Sequence, residues 1–269
     1  MAIIVEQLTF YTEKYNLLPP MHFGGRLGRI TTDALHTLTY KIKDAWWKKQ
    51  VVVVLFLDIE GVFPNAVNKR LIHNLRTRRV PMKIVEFIHN MLQGCFTALK
   101  FNDFILDQIA LNNSIGQGDP LSMVRNQYYN ADLLEIPSAA NESTVAYVDD
   151  AILIATASTF SEAHEILENM IMRPGGAIDW SKNHNSHFKF SKLTLIDFAH
   201  RSNKKPRCPL MLPNITIDPI FSTKYLGVHM DQHLSWGTHI AHAIKKGTAW
   251  STQIRRVVAP SWGITPKYV

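Results

Sequence analysis

The most apolar stretch of the chain is Val-Val-Val-Val-Leu-Phe-Leu at 51–57, followed at once by Asp58. A strand apolar on both faces belongs in the middle of a sheet covered from both sides, and Gly61 and Pro64 break it soon after. A second pattern, Ala-Tyr-Val-Asp-Asp-Ala-Ile-Leu-Ile-Ala at 146–155, reads as strand, two acids, strand. Helical spacing of Leu35, Leu38, Ile42, Ala45 and Trp46 predicts a helix over 32–49, with Thr31 or Thr32 as its N-cap and Asp33 in the first turn. The same spacing predicts helices over 66–79, 82–93, 162–172 (capped by Ser161) and 237–257, with a short one inside 1–20. Asp119-Pro120 marks another helix start. Short strands are expected around Asn102-Asp103 and at 193–198, 214–217 and 224–230. The fold class that follows is α+β with a mostly antiparallel sheet.

Charge and composition narrow this only a little. A formal net charge of +7 favours a polyanionic partner weakly. Cys95 and Cys208 are the only cysteines, so a disulfide framework is excluded and a reducing, intracellular setting (nucleus or cytoplasm) is expected. His229, His233, His239 and His242 cluster, but their spacing fits no ordinary zinc ligand set. No apolar run approaches the roughly 20 residues a membrane span takes, and Glu6 interrupts any signal-peptide core. The ends read as cut, one inside a helix already under way and the other without a cap, as in a fragment.

The two adjacent acids admit two readings. Asp is a common turn residue, so Asp149-Asp150 could simply close a hairpin. Alternatively, the turn holds a cation. Consecutive side chains on a regular strand point to opposite faces, but a tight turn lifts that restriction. Two carboxylates so close repel unless a cation neutralises them. Asp58 shifts the balance: if its strand pairs with the hairpin, three carboxylates meet at one sheet edge, an all-oxygen site suited to Mg²⁺.

At this point the chain resembles the reverse transcriptases of non-LTR (LINE-type) retrotransposons. LFLDIEGVFPNAV resembles the first palm motif, NSIGQGDPLS the Gly-Gln-Gly motif, and AYVDDAILIA the Tyr-x-Asp-Asp hairpin. HNSHFKFSKLTLIDF and KYLGVHMDQHLSW resemble the later palm motif and the primer grip, and FGGRLGRITTDAL the basic element before the first palm strand. The match runs in family order over about residues 16–250.

The resemblance implies a right-hand polymerase-like palm with an antiparallel sheet, partial fingers and a truncated thumb. Its divisions would be partial fingers at 1–50, palm at 51–233 with a fingers-like insertion at about 66–113, and the start of a thumb at 234–269. It implies that Asp58, Asp149 and Asp150 hold two Mg²⁺ and that Lys192 protonates the pyrophosphate leaving group. Phe63 would exclude a ribose 2′-OH. Gln117, Gly118 and Tyr147 would line the nucleotide pocket, Tyr225, Leu226 and Gly227 would place the primer 3′ end, and Arg26 and Arg29 would contact template phosphate. The implied partners are an RNA template, a DNA primer and dNTPs. Three departures stand out: no basic fingers motif precedes Gly24, Leu27 replaces an expected proline, and Arg125-Asn126-Gln127 interrupts a helix expected to be apolar. They keep open a second reading, an inactive remnant that at most binds nucleic acid. A third, another metal-dependent phosphotransferase, is disfavoured by the order of the motifs.

Overall fold

The computed structural model of the chain describes residues 2–60, 65–102, 104–110, 119–202, 207–213, 215–259 and 262–263. Helices α1 (Ala2–Lys14) and α2 (Thr31–Trp47) lead into strand β1 (Val51–Leu57), every residue of which is buried. A two-residue strand β2 (Ile59–Glu60) follows Asp58, and helices α3 (Asn68–Thr77) and α4 (Met82–Met91) come next. Four two-residue strands follow, β3 (Phe96–Thr97), β4 (Lys100–Phe101), β5 (Phe104–Ile105) and β6 (Ile109–Ala110), with β3 antiparallel to β6 and β4 antiparallel to β5. Helix α5 (Ser122–Asn130) precedes the hairpin of β7 (Glu142–Tyr147) and β8 (Asp150–Ala157), then α6 (Phe160–Met172) and α7 (Ala177–Asn183). The rest is β9 (His187–Phe188), β10 (Thr194–Phe198), β11 (Leu210–Leu212), β12 (Ile215–Ile217), β13 (Ser222–Tyr225), β14 (Val228–Asp231), α8 (Gly237–Val257), β15 (Val258–Ala259) and β16 (Trp262–Gly263).

The central sheet runs β10-β1-β8-β7, antiparallel throughout, which bears out the expected α+β fold. Alternate residues of β1 feed two cores, as strand pleating requires. Val51, Val53, Leu55 and Leu57 pack with α6 and Trp180 of α7. Val52, Val54 and Phe56 pack with Ala34, Leu38, Ile42 and Ala45 of α2 and with Tyr225 and Met230 of the β13–β14 hairpin. Each fully buried Val or Leu of this kind contributes about 1.5–3 kcal/mol. A third core joins α1, α3, α4 and α5 around Leu71, Leu75, Ile88, Tyr128 and Tyr129. The open edge of β7 is covered by residues 21–23: His22 bridges Ala146, and the Phe23 N–H donates to the Ala146 carbonyl at 2.8 Å.

Several local expectations change. The N-cap of α2 is Ile30, whose N–H donates to the Asp33 carboxylate at 2.8 Å, in place of Thr31 or Thr32. The cap of α6 is Thr159 rather than Ser161: its hydroxyl accepts from the Glu162 N–H while Glu162 accepts from Thr159 N–H. Residues 224–230 are not one strand but part of the β13–β14 hairpin, turning at Leu226 and Gly227, both at positive φ (45° and 85°). Helix α7 has no counterpart among the sequence expectations. Among the described residues, no helix is long and apolar enough to cross a membrane.

Candidate active site

Strand pairing decides where the acids lie. Leu57 of β1 is opposite Ala151 of β8, and Tyr147 is opposite Asp150, so the next step along β1 brings Asp58 to the edge where β8 begins. Asp58 is held there by its backbone: the Lys189 N–H donates to its carbonyl at 2.9 Å. Its side chain is half-exposed at 42% rather than buried mid-sheet, because the strand ends one residue earlier. Burial and the nearby charges of Asp149 and Asp58 raise the Asp150 carboxyl above the ordinary carboxylate range. Asp150 therefore feels both of the other acids.

The hairpin tip is Val148-Asp149, with Asp150 already on β8. Val148 sits at φ 60°, a conformation that costs a β-branched residue about 1–3 kcal/mol. This turn position normally takes glycine. The glycine is instead across the contact. A Cβ added to Gly24 would stand 2.4 Å from Val148 N and 2.5 Å from its Cγ2, so only glycine lets the backbone press on the turn. Gln127 holds Gly24 from behind, its Nε2 donating to the Gly24 carbonyl at 2.7 Å. The unexpected polar run of α5 thus has a purpose: Arg125 pairs with Asp119 at 2.6 Å, and Gln127 braces the loop that braces the hairpin turn. Nothing in the local sequence pattern pairs Gln127 with Gly24, which is 103 positions away.

Gly24→Ala is accordingly expected to be expensive. Relieving the overlap moves the turn at about 1–3 kcal/mol, and a displacement near 1 Å at reacting groups costs about 10²-fold in rate. Thermal unfolding and turnover measured together check this; a variant with parental values of both removes Gly24 from any positioning role.

Lys192 lies on a 3-10 turn (Phe190–Lys192) with its Nζ 3.2 Å from Asp58 Oδ2, so it reaches the acid cluster. Tyr147 is half-buried at the end of β7. Tyr225 is buried, its ring edge-on to Phe56 with centroids 5.3 Å apart, and its hydroxyl has no hydrogen-bond partner among the described residues. Burial and the charge of Asp150 push that hydroxyl up, so Tyr225 stays neutral and flanks the acids from the α2 side. Leu226 and Gly227 form the turn beside it.

Arg26 is placed differently from the expectation. Its guanidinium is turned inward onto Glu13 (2.7 and 2.8 Å) and the Pro19 carbonyl (3.0 Å), and it exposes only 2% of its side chain. A charge so enclosed is paired within the protein and has no free face for phosphate. Arg29 is half-exposed, stacked over Phe23 at 5.4 Å and donating to the Pro20 carbonyl. Phe63, Gln117 and Gly118 lie outside the described residues.

Among the described residues, no three His, Cys, Asp or Glu side chains are close enough to hold a metal ion as they stand. The donor chemistry nevertheless fits a hard divalent ion: three carboxylates, no sulfur or imidazole, and mutual repulsion that a cation would relieve.

The family described as reverse transcriptase (RNA-dependent DNA polymerase) matches residues 2–230. The chain belongs to that family. The reverse transcriptase domain is 21% identical over 240 residues to a probable RNA-directed DNA polymerase from transposon X-element of Drosophila melanogaster, covering 88% of this chain and 26% of that protein. It is also 21% identical over 271 residues to the RNA-directed DNA polymerase from mobile element jockey of the same organism, covering 98% and 28%. The chain thus spans about a quarter of the length of these relatives. These relatives bear out the resemblance to non-LTR reverse transcriptases. Among solved structures, telomerase from Candida tropicalis with a fragment of telomeric RNA shares the fold, with a TM-score of 0.62 at 11% identity, covering 87% of this chain and 37% of that one. Reverse transcriptases use divalent metal ions, in keeping with the carboxylate edge.

Proposed function

We propose that this chain is the polymerising part of a retrotransposon reverse transcriptase, extending a DNA 3′-OH on an RNA template with dNTPs. The observation that carries the reading is the β1–β8 register, which delivers Asp58 to the edge where Asp149 and Asp150 stand. Asp58, Asp149 and Asp150 would hold two Mg²⁺, whose chemistry is to activate the hydroxyl nucleophile and stabilise the leaving oxygen of an in-line displacement. Lys192, already within reach of Asp58, gives a proton to the departing pyrophosphate. Tyr147, Gln117 and Gly118 line the nucleotide pocket, and Phe63 shuts out a ribose 2′-OH. Tyr225, Leu226 and Gly227 support the primer end. Of the two loop arginines, Arg29 is the one with an exposed face for template phosphate. In domain terms, residues 51–233 serve as palm with a fingers-like insertion at about 66–113, residues 1–50 as partial fingers, and 234–269 as the start of the thumb.

Extension of a DNA primer annealed to RNA, with dNTPs and Mg²⁺, tests this reading. Product that requires Mg²⁺ and the RNA template is the expected result. No product, together with salt-sensitive binding of the RNA–DNA duplex, would leave only a nucleic-acid-binding remnant.

A further inference from the structure

On the α6 face of the sheet, away from the acid edge, three chemically matched side chains stand in a row. His164 of α6 and Asp197 of β10 are both buried, with Nε2 and Oδ1 2.9 Å apart. On the other side of the same imidazole, Cys208 Sγ lies 3.4 Å from Nδ1. The carboxylate can only accept, so it fixes the imidazole proton on Nε2 and leaves the Nδ1 lone pair facing the thiol. The second oxygen of Asp197 is buried with no partner among the described residues. Cys208 is partly exposed, as is the chain's other thiol, Cys95, which donates to the Met91 carbonyl at 3.4 Å.

We infer that Cys208 is a modification site, a nucleophilic thiol that His164 deprotonates and Asp197 orients, and that it takes low-molecular-weight disulfides. As Sγ attacks one sulfur of the disulfide, its proton passes to His164 Nδ1 and a Cys208–sulfur bond forms. The disulfide's own S–S bond breaks, and the leaving thiolate carries off the electron pair and then the proton. Cys208 is oxidised to a mixed disulfide and the released half is reduced to a thiol.

The groups around Cys208 determine how the step runs. Burial and the charges of Asp197 and Glu165 push the thiol up, so it rests protonated instead of standing as a thiolate. That is the situation in which an adjacent base matters most, since a thiol of higher pKa is the stronger nucleophile once its proton is removed. Positive charge is at hand as well. Arg207 lies over the Phe160 ring at 5.8 Å, which suits an anionic disulfide.

The test is the rate of modification of each cysteine in the intact chain, followed by peptide mass analysis with iodoacetamide and, separately, glutathione disulfide. At pH 7, Cys208 should react at least about tenfold faster than Cys95 with both probes, because its base is built in. Transfer to D2O should slow Cys208 at neutral pH more than Cys95, because only the base-assisted route moves a proton in its rate-limiting step. His164→Gln should abolish both the advantage and the larger isotope effect. Equal rates for the two cysteines, or equal slowing of both in D2O in the unaltered chain, would overturn the assignment. The isotope measurement needs no variant, so a folding defect in His164→Gln cannot blur the outcome.

Discussion

Changing any one of Asp58, Asp149 or Asp150 to Asn is expected to lower primer extension by about 10³-fold or more, without unfolding the chain. The activity loss follows from charge. Fixed groups and ions that stabilise transition-state charge contribute several kcal/mol, and about 4 kcal/mol corresponds to three orders of magnitude in rate. The stability side has the opposite sign for Asp150. Its carboxyl is raised by burial and by Asp149 and Asp58, so the folded chain holds the proton more tightly than the unfolded one. As pH rises through the ordinary carboxylate range, the unfolded state ionises first and folding stability falls. At neutral pH and without metal, Asp150→Asn removes that repulsion and should melt at or above the parent temperature. Added Mg²⁺ should raise the melting temperature of the parent and do so less in the variant, since binding stabilises by RT ln(1 + [L]/Kd). A variant that loses extension and also melts several degrees lower in chelator would mean that the acids support the fold instead of the chemistry. Asp58→Asn additionally frees Lys192, but that half-exposed pair is worth at most about 1 kcal/mol.

The acid edge was legible in the sequence because hydrophobic runs fix strand register. Val51–Leu57 could only be a central strand, and the apolar run after Asp150 could pair with it in one orientation once both faces needed burying. The sequence did not show which residue occupied the turn. Val148 in a left-handed conformation violates local preference and is sustained by Gly24 and Gln127, contacts that only folding brings together. The inward turn of Arg26 has the same origin: a basic loop looks solvated until α1 presents Glu13 to it. Caps failed for a smaller reason. Thr159 and Ser161 are equally good cap residues, and what selects Thr159 is Glu162 three positions on, a pairing visible in the sequence as a capping box. Helix α7 is short, and its stacking of Trp180 on His184 at 4.8 Å comes from packing rather than periodicity.

Acid should unfold this chain earlier than its carboxylates alone would require, and His22 is the reason. The residue is completely buried, neither ring nitrogen has a hydrogen-bond partner among the described residues, and Arg26, Arg29 and Arg78 lie close enough to oppose a further positive charge. Burial first, and those arginines second, lower it from 6.5 to about 3. A histidine lowered in the fold stays neutral there while the unfolded chain takes up a proton, so stability is full above 6.5 and is lost as pH falls below it. At 1.36 kcal/mol per pH unit, about 3 kcal/mol is gone by pH 4.5 and roughly 5 kcal/mol by pH 3. The first of these figures corresponds to a drop of about 5–10 °C in melting temperature. Other groups act elsewhere or add in the same direction. Asp231 and Glu142 are lowered carboxylates whose stabilisation disappears only at more acid pH, and His229 is lowered by burial and by His242. His22→Leu isolates the effect, since it removes the proton acceptor together with two unsatisfied polar atoms at similar volume. Melting temperatures of parent and variant at pH 6.5, 5.5 and 4.5 should diverge, the parent falling and the variant holding nearly level. Parallel slopes would clear His22. Because residues 21–23 run along β7 and lead directly to Gly24, acid loosening at His22 should reach the Val148-Asp149 turn before the sheet itself opens. Primer extension should therefore fade at a higher pH than global unfolding in the parent, and the gap should narrow in His22→Leu.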